Sequence, residues 1–161
     1  QLLTEKLLDI LRRLKAPATF FCIGSKLETS APTVQRAASE GHSLQIHGWE
    51  HSAEKADLAR CEKAIHDLTG EEATLYRPPG SEDVRDLSGK PVPYPEVDPY
   101  DFLRPSPKEI ERRVLLGLKP GCVVHLHSGV RETLEALPDI ISNLRARGFT
   151  LAAMPQPTKN Q

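Results

Sequence analysis

Residues 40–51 read Glu-Gly-His-Ser-Leu-Gln-Ile-His-Gly-Trp-Glu-His, and the order of their signals sets the architecture. Gly41 is a helix stop, Ser43 to Ile46 is a short strand-forming run, and Gly48 closes it. Two imidazoles, His47 and His51, then follow four positions apart, close enough to meet one divalent ion. Neutral imidazole is a common zinc ligand. A His-x-x-x-His pair is often incidental surface. Its place at a strand's carboxyl end, where sheets flanked by helices gather their ligands, favours ligation.

The same alternation extends both ways. Leucines at 2, 3, 7, 8, 11 and 14 share one helical face, and Pro17 ends that helix. Residues 18–23 (ATFFCI) read as a buried strand closed by Gly24 and Ser25. Pro32 opens a helix through Glu40. Downstream, a helix over residues 54–68 has Ser52 as a candidate cap and Gly70 as its terminator. Residues 73–76 (ATLY) are a third strand. Between Pro78 and Pro107 the chain carries eight prolines and reads mainly as loop. Prolines 91, 93 and 95 cannot donate ladder hydrogen bonds, which excludes a central strand over residues 89–97. A helix over residues 108–118, a buried strand over 121–126 (GCVVHL), a helix over 133–147 and a strand over 149–153 complete the pattern. Strands alternating with helices predict a parallel sheet with site residues at its carboxyl ends. The domain spans residues 1–153, and residues 154–161 form a polar tail.

Three more clusters fall after strands. Arg77-Pro78-Pro79-Gly80 is a stiffened turn that would aim a guanidinium. Asp98-Pro99-Tyr100-Asp101-Phe102 carries two carboxylates. His125-Leu126-His127 ends a strand, with both imidazoles on one side and Leu126 opposite. A strand-end His beside a carboxylate suits proton transfer near neutral pH. Taken singly, each cluster fits a structural role as well.

Composition narrows the classes. The chain is 39% hydrophobic and 27% charged, ordinary for a globular domain, and 161 residues are enough for one core. Its 21 basic and 22 acidic residues nearly cancel and form no basic stripe, which argues against a nucleic-acid partner. No apolar run reaches the roughly 20 residues of a membrane span. Cys22, Cys61 and Cys122 are widely spaced and odd in number, so a disulfide framework is not expected and a reducing, cytoplasmic setting is favoured.

In order, the chain reads A-T-F-F-x-x-G, E-G-H-S-L-x-x-H-x-W-x-H-S, Y-R-P-P-G, V-D-P-Y-D-F and V-V-H-L-H-S-G. This succession resembles the polysaccharide deacetylase family, which includes chitin and peptidoglycan N-deacetylases and xylan esterases. The resemblance implies a distorted (β/α) barrel and hydrolysis of N- or O-acetyl groups on a polysaccharide, oligosaccharide or amino-sugar substrate. It implies a divalent metal, usually zinc, with cobalt or nickel as substitutes, and His47 and His51 as two ligands. Arg77 would orient the catalytic base, Asp101 would tune His127, and His127 would protonate the leaving group. Leu126 and Phe102 would line the acetyl pocket, with Phe102 where the family commonly has Trp. Trp49 would stack on a sugar ring or pack beside the metal loop. His42 would be structural.

The chain departs from the family at its start. Members begin with a strand ending in Thr-Phe-Asp-Asp-Gly, which supplies the base and a third ligand, whereas no Asp-Asp pair occurs here. The expectation is a barrel missing its first strand, with that strand encoded upstream. The alternative is a non-catalytic deacetylase-like domain that binds carbohydrate or protein. A further reading, from His47-x-x-Glu50-His51, is the H-x-x-E-H motif of inverted zinc peptidases, which requires a helix there.

Overall fold

A computed structural model describes residues 2–50, 54–80 and 83–154, and the chain divides into two compact units. One unit comprises residues 17–93 and 152–161. It holds a four-stranded sheet in the order β1-β2-β3-β4, formed by β1 (Thr19–Cys22), β2 (Ser43–Ile46), β3 (Leu75–Tyr76) and β4 (Arg85–Asp86). The first three strands are parallel and β4 is antiparallel to β3. Among the described residues β1 is an edge strand that pairs with β2 alone. Its four residues are half-buried rather than buried as expected, consistent with that edge position.

Strand β2 is the buried centre, with Leu44 at 1% exposure and Ile46 and Gln45 at 0%. Burying Gln45 requires that its amide be satisfied. The side chain donates to Ser43 Oγ and accepts from the backbone N–H of Thr74 and Leu75. This stitches β3 to β2, where β3 contributes only two residues to the ladder.

Helices α2 (Ala31–Ser39) and α3 (Lys55–Thr69) pack on β2 and on each other. Pro32 lies in the first turn of α2, and Gly41 (φ 83°) ends it in the left-handed conformation that glycine adopts cheaply. Glu54 is the N-cap residue of α3 and makes no side-chain capping bond, while the proposed cap, Ser52, lies outside the described residues. His42 is buried, accepts the Ala18 N–H on Nδ1 and meets Phe20 edge-on, so its role here is packing. Burial pushes its pKa down.

The other unit comprises residues 1–16 and 94–151. It contains α1 (Leu2–Leu14), β5 (Glu96–Val97), α4 (Pro107–Gly117), β6 (Val123–Val124) and α5 (Arg131–Ala146). Leu7, Leu8 and Leu11 supply the buried face of α1, as the leucine spacing requires. The core joins Ile110 and Val114 of α4 to Ala136, Ile140 and Leu144 of α5. Ser106 caps α4 by accepting the Glu109 N–H at 3.3 Å.

Residues 96–97 form a short strand parallel to β6 inside the stretch read mainly as loop, and among the described residues it pairs with β6 alone, so it is not a central strand. The alternating prolines end at Pro95, whose carbonyl accepts the Val123 N–H, so the ladder begins where donors resume. Residues 149–153 are not a strand. Phe149 and Leu151 instead pack as side chains on the α4–α5 core, and the Met154 N–H bonds Thr19 Oγ1. The strand over 121–126 shortens to Val123–Val124 and is half-buried. No described helix is long and apolar enough to cross a membrane.

Candidate functional site

The first cluster grows out of β2. The ladder continues past the strand, because the His47 N–H donates to Cys22 O at 2.8 Å and the Arg77 N–H donates to Ile46 O at 2.9 Å. Both side chains therefore leave backbone held on the sheet. His47 Nδ1 lies 2.9 Å from the Arg77 carbonyl oxygen. A carbonyl can only accept, so Nδ1 carries the proton and the ring's lone pair sits on Nε2. A metal-binding histidine is oriented in this way, with one nitrogen fixed on a carbonyl and the other turned to the ion.

Beyond His47 the chain turns at Gly48 (φ 88°). Gly24 and Ser25 donate their N–H groups to Gly48 O and Trp49 O. Trp49 packs so closely that a Cβ on Gly24 would sit 2.3 Å from its ring. The Arg60 guanidinium lies 3.6 Å from the Trp49 ring centroid. Residues 47–50 are not helical, so over the described residues the helix needed by an inverted zinc peptidase is not formed. His51 lies outside the described residues. Among those described, no three His, Cys, Asp or Glu side chains gather to hold a metal. The fit of a divalent ion rests on the His47 tautomer.

Arg77 is 5% exposed at the end of β3, where the stiff Pro78-Pro79 turn follows. Cys22 and Cys61 lie behind this cluster. Burial pushes the Cys22 thiol up to about 12, with the nearby Cys61 adding to it, and burial pushes Cys61 up to about 11. Both remain protonated and unreactive at neutral pH.

The second cluster is built on Asp101, in a short 3₁₀ turn (Asp101–Leu103) between β5 and α4. Its side chain is fully buried and accepts three hydrogen bonds. They come from His127 Nδ1 (2.7 Å), the His127 N–H (2.7 Å) and Thr133 Oγ1 in the first turn of α5 (2.6 Å). Burial alone would raise the Asp101 pKa, but the bonds from His127 and Thr133 outweigh it and hold the carboxyl below its ordinary value. Asp101 is thus an anion that fixes the His127 tautomer. With Nδ1–H held, Nε2 is the atom that gives or takes a proton, and the His127 side chain is 40% exposed.

Sequence alone did not reveal one member of this network. Thr133 carried no signal, since a helical Thr is ordinary. His125 Nδ1 lies 3.4 Å from Asp98 Oδ2 and 3.9 Å from Glu96 Oε1. Its ring centroid is 4.7 Å from that of His127, so the two imidazoles are neighbours although both lie beyond β6. The spacing of His125 and His127 was visible, but the carboxylates opposite His125 were not. Phe102 meets the His127 ring edge-on at 5.7 Å and is half exposed. Leu126 packs on the α4–α5 core. The structure therefore joins His127, Asp101 and Phe102 in one unit. It places His47, Arg77 and Trp49 in the other.

Residues 1–89 match the polysaccharide deacetylase family. A chitooligosaccharide deacetylase from Bradyrhizobium sp. (strain ANU 289) is 32% identical over 95% of this chain and 83% of its own length. The peptidoglycan-N-acetylglucosamine deacetylase PgdA of Listeria monocytogenes is 27% identical over 95% of this chain, which spans only 35% of that protein. The structure of the peptidoglycan deacetylase PdaC from Bacillus subtilis superposes with a TM-score of 0.81 at 27% identity, covering 94% of this chain and 80% of that one. That likeness bears out the fold class expected from the sequence, a distorted (β/α) barrel of the polysaccharide deacetylase type.

Proposed function

Because the chain belongs to the polysaccharide deacetylase family, we propose that it serves as a metal-dependent hydrolase removing N- or O-acetyl groups from a polysaccharide or oligosaccharide. The observation that carries the reading is the buried Asp101, which takes two hydrogen bonds from His127 and a third from Thr133. With Nδ1–H fixed on this carboxylate, Nε2 is the nitrogen that takes up a proton, and the adjacent anion favours the imidazolium that gives it. A group so placed gives its proton to the leaving amine or alkoxide, a role worth about 10²–10⁴ in rate.

His47, through Nε2, and His51 would hold the metal, most simply zinc. A bound divalent ion polarises an acyl carbonyl and brings the pKa of water to about 7. Arg77, stiffened by the prolines that follow, would orient the carboxylate that acts as base. Leu126 and Phe102 would line the acetyl pocket, and Trp49 would support the metal loop or meet the sugar.

The test is acetate release from penta-N-acetylchitopentaose and from peptidoglycan fragments, using the chain joined to whatever its gene encodes upstream. The reading expects release that a chelator stops and added zinc or cobalt restores. No release from either substrate, with metal present, favours a non-catalytic domain that binds carbohydrate or protein.

A further inference from the structure

The turn between β5 and α4 shows solvent more aromatic surface than packing requires. Tyr100 is 46% exposed, Phe102 50% and the adjoining Leu103 67%. Scattered exposed apolar residues need no explanation, but contiguous ones mark binding surfaces. Here they are contiguous. Tyr100 and Phe102 meet edge-on with centroids 6.1 Å apart, and Phe102 meets His127 edge-on at 5.7 Å.

The turn is also held firmly from behind. Asp98 Oδ1 accepts the Tyr100 N–H at 2.7 Å. Arg113 of α4 donates to the Pro99 carbonyl at 3.1 Å, and Glu109 holds Arg113 in place through a 2.7 Å bond. Tyr100 (φ 53°, ψ 44°) and Arg104 (φ 54°, ψ 46°) both adopt the left-handed conformation. That conformation is costly for a residue with a Cβ and most unusual for a bulky one. Glycine or asparagine would make the same turn more cheaply. What tyrosine adds is a ring in solvent.

We infer that Tyr100 forms a stacking platform for one sugar ring of an acetylated glycan, on the far side of Phe102 from His127. The assignment rests on the deacetylase reading for the identity of the ligand. A pyranose presents a face of C–H groups to an aromatic ring while its hydroxyls stay in water, and the Tyr100 hydroxyl can meet one of them. Phe102 lies between Tyr100 and His127, so Tyr100 is one ring further from the reacting group. It holds a neighbouring sugar of the chain rather than the acetyl group being removed. The platform therefore confers a preference for oligomers over single sugars.

The experiment is calorimetric titration with penta-N-acetylchitopentaose and with N-acetylglucosamine, on the wild type and on Tyr100→Phe, Tyr100→Ala and Tyr100→Gly. Loss of the ring should weaken pentamer binding about 2- to 10-fold, the range expected for one aromatic contact. Tyr100→Phe should keep pentamer affinity, and monomer affinity should be unchanged throughout. Tyr100→Gly relieves the backbone strain, so it should melt at or above the wild-type temperature while binding the pentamer poorly. It carries the test if Tyr100→Ala folds badly. Equal pentamer affinity for wild type and Tyr100→Gly, or no pentamer binding at all, overturns the platform. Acetate release with Tyr100-independent binding refutes the platform and leaves the hydrolase. Tyr100-dependent binding without acetate release supports the platform and refutes the hydrolase.

Discussion

His47 directly follows strand β2 and His127 lies just beyond strand β6, yet the two are held by different means. His47 follows a four-residue, fully buried strand, and backbone ladder bonds to Cys22 and from Arg77 fix its surroundings. His127 follows a two-residue, half-buried strand, and its position depends on one buried carboxylate. Backbone ladders tolerate side-chain change, because any residue except proline can supply their bonds. A side-chain network fails when one member is lost, since the remaining polar atoms are left buried and unpaired. The region around His127 should therefore be the more sensitive to single substitutions.

The largest expected effect separates the two neighbouring imidazoles. His127→Ala should cut acetate release by about 10²–10⁴, whereas His125→Ala should do much less, because Asp101 bonds His127 and not His125. Steady-state acetate assays on both variants check this. An inactive His125 variant beside a near-normal His127 variant would reassign the proton donor.

Next comes the carboxylate itself. Asp101→Asn keeps the shape but places an amide where three donors converge, and it should lose about 2–4 kcal/mol in urea unfolding. The folded Asp101 pKa is depressed, so the stability it contributes is full above its unfolded value of about 4. That contribution disappears as the pH falls through the lower, folded value. The difference between wild type and Asp101→Asn should thus shrink in acid, and a difference that grew there would contradict the assignment.

On the other side of the comparison, Gly24→Ala forces a Cβ into the Trp49 ring, and the rigid indole cannot give way at its edge. Overpacking of this kind costs about 1–3 kcal/mol, with a change in Trp49 fluorescence as its signature. A smaller loss, about 1 kcal/mol, is expected for Ser106→Ala, which removes the α4 cap behind the Asp101 turn. Thermal melts of the two variants would rank them.

The same contrast governs what could be read before the structure. Periodicity exposed α1, α2, β2, α3 and α5, because each has one dominant face or a clear stop such as Gly41 or Gly70. It overextended residues 121–126 and misread 149–153, where apolar residues serve as side-chain packing without a ladder. It missed β5, since Pro91, Pro93 and Pro95 mask a strand that starts only after them. For the site, motif order picked out Asp101 and His127, but no local pattern announces Thr133 or the pairing of His125 with Asp98 and Glu96. Those contacts join residues about 26 to 32 positions apart. They are a product of how the second unit folds, and tyrosine's strained place at residue 100 is equally silent in one dimension.

The division of labour between the two strand ends has a direct test in equilibrium titration of zinc or cobalt into the wild type, His47→Ala, His51→Ala and His127→Ala. One ion should bind the wild type and His127→Ala alike, and neither His47→Ala nor His51→Ala should retain stoichiometric metal. Unchanged metal content in both His47→Ala and His51→Ala, or loss of the ion in His127→Ala alone, would contradict the account.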